Sequence, residues 1–135
     1  MLLTGTSEWI DYSVETSITP HLVKAFGLAA RVQGLERYYA LLLSDQNTSK
    51  LIKRLDGEIV LAEQAFAWEF GRSYDLQINV KGNQILASVD GSLLFKTEDL
   101  HRPLSSGGIG LICEEGRIGL DEVFVGPESN TRASH

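Results

Sequence analysis

The stretch Gly27-Leu28-Ala29-Ala30-Arg31-Val32-Gln33-Gly34 continues through Leu35-Glu36 into Arg37-Tyr38-Tyr39-Ala40-Leu41-Leu42-Leu43. It is apolar enough to be buried, yet it holds an arginine and a glutamine in its first half. Two antiparallel strands joined at Leu35-Glu36 would divide it into two faces. Val32 is then expected opposite Tyr39, Ala30 opposite Leu41 and Leu28 opposite Leu43, an entirely apolar face. The other face would carry Arg31 beside Ala40, Gln33 beside Tyr38, and Ala29 beside Leu42. A loop longer by one residue would reverse the parity and bury Arg31, which is costly for a charge without a partner. The expectation is therefore that Arg31, Gln33 and Tyr38 gather on an accessible outer face among small neighbours.

The same period of two runs along the chain. From Trp9 to Ile18, the residues Ile10, Tyr12, Val14, Thr16 and Ile18 alternate with Trp9, Asp11, Ser13, Glu15 and Ser17, and Pro20 ends the strand. Leu51–Leu55 and Glu58–Ala62 flank Asp56-Gly57, a hairpin signal. Tyr74–Val80 and Gln84–Val89 flank Lys81-Gly82-Asn83, and Asp90-Gly91 turns into Ser92–Lys96. Gly107-Gly108 opens Ile109–Cys113, and Gly119–Val125 is the last strand. A turn at Gly82-Asn83 sets Val80 opposite Ile85, Ile78 opposite Ala87 and Leu76 opposite Val89, leaving Gln77, Asn79, Leu86 and Ser88 on the other face. Leu61–Phe70 is ambiguous, with a brief helix as the alternative. Roughly nine or ten short strands at regular spacing predict an all-β domain over residues 1–127, an antiparallel sandwich or barrel. Residues 128–135 read as a polar tail.

A chain of 135 residues holds one domain whose core can stand without disulfides or metals. The net charge of −6 speaks against nucleic acid as a partner, which needs a basic face, and is neutral toward uncharged ligands. No apolar run approaches the ~18–20 residues of a membrane span. Met1-Leu2-Leu3 is too short for the apolar part of a leader, so the cytoplasm is the expected compartment. Strand-like sequence begins almost at once, as expected of a domain cut from a longer protein. Cys113 is the only cysteine and reads as a small buried hydrophobe in the run Ile109, Leu111, Cys113.

A face of Arg31, Gln33 and Tyr38, with Gln77, Asn79 and Trp9 at its margin, suits a neutral polyol. Arginine supplies fixed donors, the amides supply donors and acceptors, and tyrosine offers an apolar ring with a polar tip. The competing reading is a solvated sheet face with Arg31 paired to Asp11 or Glu15. Trp9 shares a strand face with polar residues and is the more exposed tryptophan, whereas Phe66-Ala67-Trp68-Glu69-Phe70 must give at least one aromatic to the core. His21, His101 and His135 are scattered without zinc-like spacing. Asp56, Asp90 and Asp99 read as turn or loop residues. No cofactor is expected; calcium at a sandwich rim is the one metal left open, without an acidic run of the EF-hand kind. Retaining glycosidases need two carboxylates about 5–5.5 Å apart, and neither Glu8-Trp9-Ile10-Asp11 nor Glu114-Glu115 has the spacing to supply them on one strand face.

Trp9-Ile10-Asp11-Tyr12, Gly27-Leu28-Ala29-Ala30-Arg31, Arg37-Tyr38-Tyr39-Ala40-Leu41, Val89-Asp90-Gly91, Gly107-Gly108-Ile109-Gly110-Leu111 and Asp121-Glu122-Val123-Phe124-Val125 follow one another along nearly the whole chain. Together they resemble the concanavalin A-like, laminin-G-like jelly-roll domains. The wording around Arg31-Val32-Gln33 and Arg37-Tyr38-Tyr39 is similar to the non-catalytic domain appended to bacterial ADP-ribosylglycohydrolase-like proteins. The resemblance implies an antiparallel two-sheet β-sandwich with a concave face, among relatives that include sugar-binding modules. The acidic metal-binding residues of the glycohydrolases belong to a separate helical domain that nothing here matches, so that activity is not carried over.

The expected function is a non-catalytic module that recognises a carbohydrate or ribosyl ligand through Arg31, Gln33, Tyr38, Gln77, Asn79 and Trp9. One alternative is an interaction domain that docks on an upstream catalytic domain or forms a homodimer through an apolar patch of Leu42, Leu86 and Leu93. A weak glycoside hydrolase is the second alternative.

Overall fold

The computed structural model describes residues 2–4, 11–21, 24–34, 36–44, 47–101, 103–104, 107–114 and 117–127, with the strand path alone for 2–4, 113–114 and 117–127. Alternating apolar residues and closely spaced turns produce eleven strands among them: β1 (Leu2–Thr4), β2 (Tyr12–His21), β3 (Ala25–Gly34), β4 (Arg37–Ser44), β5 (Thr48–Leu55), β6 (Glu58–Ala65), β7 (Tyr74–Lys81), β8 (Gln84–Val89), β9 (Ser92–Glu98), β10 (Gly108–Glu114) and β11 (Arg117–Pro127). They form a six-stranded sheet in the order β1-β10-β3-β4-β5-β6 and a five-stranded sheet in the order β11-β2-β7-β8-β9. Every pairing is antiparallel. The ambiguous stretch from Leu61 is strand as far as Ala65, because it pairs with β5 out to Thr48. Cross-strand pairing overrides a weak local preference there.

The sheets close face to face on one core. Phe26, Leu28, Tyr39 and Leu41 on the six-stranded sheet meet Val14, Leu76, Ile78, Val80, Ile85 and Val89 on the other. β7 and β8 pair as their alternation requires, Leu76 with Val89, Ile78 with Ala87 and Val80 with Ile85. Asp90 and Gly91 form the next turn at φ of 52° and 81°, the left-handed pair that a two-residue hairpin needs. Gly27 sits where β3 runs closest to β4: a Cβ would stand 2.0 Å from the Leu41 carbonyl oxygen. The side chain of Cys113 lies outside the described residues.

The opening hairpin departs from the expected register. Gly34 pairs with Arg37, as a turn at Leu35-Glu36 requires, but Leu28 pairs with Leu41 and Ala30 with Tyr39. Arg31, Val32 and Gln33 therefore stand against Tyr38 alone, a bulge of two extra residues on β3. Arg31 absorbs the bulge with a left-handed φ of 51°. The bulge turns Arg31 into the space between the sheets, where it is 1% exposed. Val32 passes to the outer side and joins Ala29, Tyr38, Ala40, Leu42 and Ile52 in a second buried apolar cluster. The expectation of an accessible Arg31 is thus corrected, and so is that of an accessible Tyr38, which is 8% exposed. Gly107 lies against the bulge at φ 148°, where a Cβ would meet the Arg31 carbonyl carbon at 2.4 Å.

Arg31 is buried but fully engaged. Its Nη1 donates to the carbonyl oxygens of Gly82 and, at 2.9 Å, Leu104, and its Nη2 donates to Asp11 Oδ1 at 3.1 Å. Asp11 Oδ1 also accepts from the Gly82 N–H at 2.9 Å. The Arg31 backbone N–H donates to the Tyr12 hydroxyl at 2.5 Å, which turns its own proton toward the carbonyls of Gly107 and Gly108. Burial pushes the Tyr12 hydroxyl up to about 12 and draws the Arg31 guanidinium down, the latter against the pull of Asp11. Further along the interior, Lys53, 1% exposed, pairs with Asp99 at 2.7 Å. The Tyr39 hydroxyl donates to the same carboxylate at 2.6 Å and accepts from the Leu104 N–H at 2.9 Å. Asp99 is a loop residue after β9, as expected, and it is also the buried partner of an inward lysine.

Truncating Arg31 empties a fully buried side-chain site and removes the donor to the Leu104 carbonyl, while Asp11, 45% exposed, can turn to water. Arg31→Ala should lower the unfolding free energy in urea by about 3 kcal/mol or more. Arg31→Lys should restore only part of it, since lysine lacks the planar fork that reaches three acceptors.

Asp99 makes stability pH-dependent. Burial alone would raise its carboxyl, but hydrogen bonds from Lys53, Tyr39 and the His101 N–H outweigh this and hold its pKa below the ordinary 3.8. A carboxyl depressed in the folded state contributes stability that is complete above the unfolded pKa and is lost as pH falls through the folded one. Urea unfolding should therefore show stability steady above about pH 4 and falling below it. Asp99→Asn should be less stable at neutral pH and show a shallower acid loss.

Candidate functional site

The residues expected to share one site divide among different surfaces. Arg31 is between the sheets, Tyr38 is in the buried cluster outside the six-stranded sheet, and Gln33 is exposed beside the β3–β4 turn. Gln77 and Asn79 lie together on the outward face of the five-stranded sheet. Trp9 lies outside the described residues. The apolar patch expected from Leu42, Leu86 and Leu93 does not form: Leu93 is 56% exposed, Leu86 is part-buried and Leu42 is 6% exposed on the opposite sheet.

The face around Gln77 and Asn79 is polar because β2, β7 and β8 bury every second residue. Across these strands Ser13, Asn79 and Leu86 form one row, Glu15, Gln77 and Ser88 the next, and Ser17 and Asp75 a third. Adjacent strands lie ~4.8 Å apart, a spacing comparable with the width of a sugar ring. Ser13 is 4% exposed at the base of the face, while Glu15, Gln77, Asn79 and Ser88 are part-exposed. The Ser17 hydroxyl donates to Asp75. Asn79 Oδ1 is buried and has no hydrogen-bond partner among the described residues. Amides and hydroxyls both donate and accept, and the carboxylates accept.

One end of this face runs into the connection from β6 to β7, residues 66–73. Trp68 packs edge-on against buried Phe26 at 5.0 Å and against Phe70 at 5.7 Å. Its Nε1 donates to the Ser44 carbonyl at 2.7 Å, the Glu69 N–H donates to the Tyr74 hydroxyl at 2.7 Å, and the Gly71 N–H donates to the Pro20 carbonyl at 2.9 Å. The Arg72 guanidinium lies over the Tyr74 ring at 4.4 Å and donates to Asp90 Oδ2 at 3.0 Å. Among the described residues, no three histidine, cysteine or carboxylate side chains gather as a metal site, at the rim or elsewhere.

Sequence reasoning overlooked the Lys53–Asp99–Tyr39 cluster. A signal was present: Lys53 shares strand parity with Leu51, the core residue two positions before it. For Asp99 there was none, since its burial depends on Lys53 and Tyr39 arriving from strands distant in the chain.

No protein-family model matches the chain, and no curated protein matches it significantly in sequence. Solved structures do match in three dimensions. The carbohydrate-binding module CBM66 from Bacillus subtilis superimposes with a TM-score of 0.79 at 20% identity, over 87% of this chain and 75% of that one. Chicken galectin 2 gives 0.73 at 8% identity over 93% and 98%, and the Caenorhabditis elegans galectin LEC-6 gives 0.67 at 13% over 90% and 86%. At such identities the likeness concerns the fold: this chain is an antiparallel two-sheet β-sandwich of the jelly-roll kind that the module and the galectins share.

Proposed function

We propose that this domain recognises neutral carbohydrate on the outward face of its five-stranded sheet and performs no catalysis. The observation that carries the reading is the polar outward face, with Gln77 and Asn79 part-exposed at its centre among the described residues. A sugar hydroxyl both donates and accepts, so it can pair with the part-exposed amides and hydroxyls of this face. Glu15 and Asp75 on the same face, with a net charge of −6, favour neutral over acidic glycans. The fold neighbours, a carbohydrate-binding module and galectins, support the same class of ligand. The resemblance to appended non-catalytic domains supports a finer reading, an accessory module of a larger glycohydrolase-like protein. Arg31 and Tyr38 are withdrawn from the binding set because they are buried.

Glycan-array binding followed by calorimetry tests the reading. The protein should bind neutral oligosaccharides, and Gln77→Ala combined with Asn79→Ala should weaken binding about tenfold, about 1.4 kcal/mol, with an unchanged melting curve. Failure of the wild-type protein to bind any neutral glycan, or wild-type affinity in the double variant, contradicts it.

A further inference from the structure

Among the described residues, most large apolar side chains that reach solvent lie along the open strand edges. Ile59 and Val60 are on β6, Leu93 is on β9, and Leu100 follows β9. Phe70 is the exception, placed at the end of the sandwich in the connection between β6 and β7. It is 52% exposed, yet the segment around it is pinned at both sides. Trp68 is held by the Ser44 carbonyl, Glu69 by the Tyr74 hydroxyl and Gly71 by the Pro20 carbonyl. A loosely held loop could fold an aromatic ring inward to save its exposure. Here the hydrogen bonds fix the backbone, and Trp68 occupies the space below. Phe70 is thus displayed on a rigid base.

Arg72, two residues on in the same connection, belongs to a polar pair. Arg72 and Asp90 are joined at 3.0 Å and remain 51% and 34% exposed. Asp90 Oδ1 is fixed by the Asp75 N–H at 2.9 Å, and the Arg72 guanidinium rests on the Tyr74 ring. A donor fork next to a carboxylate presents what two adjacent ring hydroxyls require. The C–H face of a sugar in turn suits the exposed aromatic ring. Glu69, Asp75 and Asp90 outnumber Arg72 in this segment and disfavour an acidic sugar.

We propose that the Phe70 segment is a second sugar-contacting subsite, with the ring stacked on one face of a neutral sugar and the Arg72–Asp90 pair binding its hydroxyls. This rests on the carbohydrate reading and extends it to a position at the end of the polar face, where a further residue of an oligosaccharide would lie.

The chain has two tryptophans, and Trp68 touches Phe70, so fluorescence in a Trp9→Phe background reports on this subsite directly. The probes are cellotetraose, xylotetraose, laminaritetraose, a fructo-oligosaccharide and, as the acidic control, oligogalacturonate. At least one neutral probe should shift Trp68 emission saturably, and oligogalacturonate should not. Phe70→Ala should weaken that binding about tenfold, and Phe70→Trp should preserve it, while both variants melt with the parent. If neutral probes bind by calorimetry but Trp68 emission is unmoved and Phe70→Ala binds normally, the subsite is overturned and the carbohydrate reading stands. If no neutral probe binds, both fall. Oligogalacturonate binding equal to the neutral probes overturns the assigned ligand class.

Discussion

The conformation of this domain depends on how it satisfies one buried arginine. Arg31 enters the gap between the sheets from a bulge in β3, and its guanidinium reaches the β7–β8 turn at Gly82, the residue preceding β2 at Asp11, and Leu104 ahead of β10. Its own N–H meets the Tyr12 hydroxyl, which holds the start of β10 through Gly107 and Gly108. One side chain and its backbone thus tie both sheets and the connections at one end of the sandwich. Such burial is tolerable only because each donor used has an acceptor and the charge has Asp11. Lys53 and Asp99 repeat the arrangement deeper along the six-stranded sheet.

This assignment separates structural polar groups from available ones. Inside the sandwich, polarity is consumed by internal pairing. On the outer side of the six-stranded sheet, Tyr38, Ala40, Leu42 and Ile52 are apolar and buried. Part-exposed polar side chains also occur on β5 and β6, but the amides Gln77 and Asn79 lie on β7, the central strand of the five-stranded sheet. The proposed recognition face lies there because the alternating pattern of β7 and β8 keeps the core on one side and leaves the amides on the other.

The β7–β8 face was legible in the sequence because its pairing is uninterrupted: fixing one pair across Gly82-Asn83 fixes them all. The same argument failed at β3 and β4. Their turn is where the sequence indicates, but the bulge between Ala30 and Gly34 reverses which side Arg31 and Val32 occupy. A bulge leaves the apolar–polar alternation of its flanks intact and carries no residue signature here, since its left-handed position is filled by arginine rather than glycine. An isolated Arg31 charge would be costly to bury. The acceptors that make its burial tolerable come from Gly82 and Leu104, 51 and 73 positions away along the chain, where local sequence gives no sign of them. Asp11 was among the carboxylates foreseen as partners; it stays 45% exposed, while the arginine it meets is buried.

The division between a structural arginine and a recognising amide face can be tested in one measurement: proton–nitrogen correlation spectra of the labelled protein during titration with a neutral oligosaccharide that it binds. The side-chain amide signals of Gln77 and Asn79 should shift with ligand, while the Arg31 Nε–H stays fixed. Shifts at Arg31 and along Tyr38 to Ile52, with Gln77 and Asn79 unmoved, would place recognition on the other sheet and contradict the account.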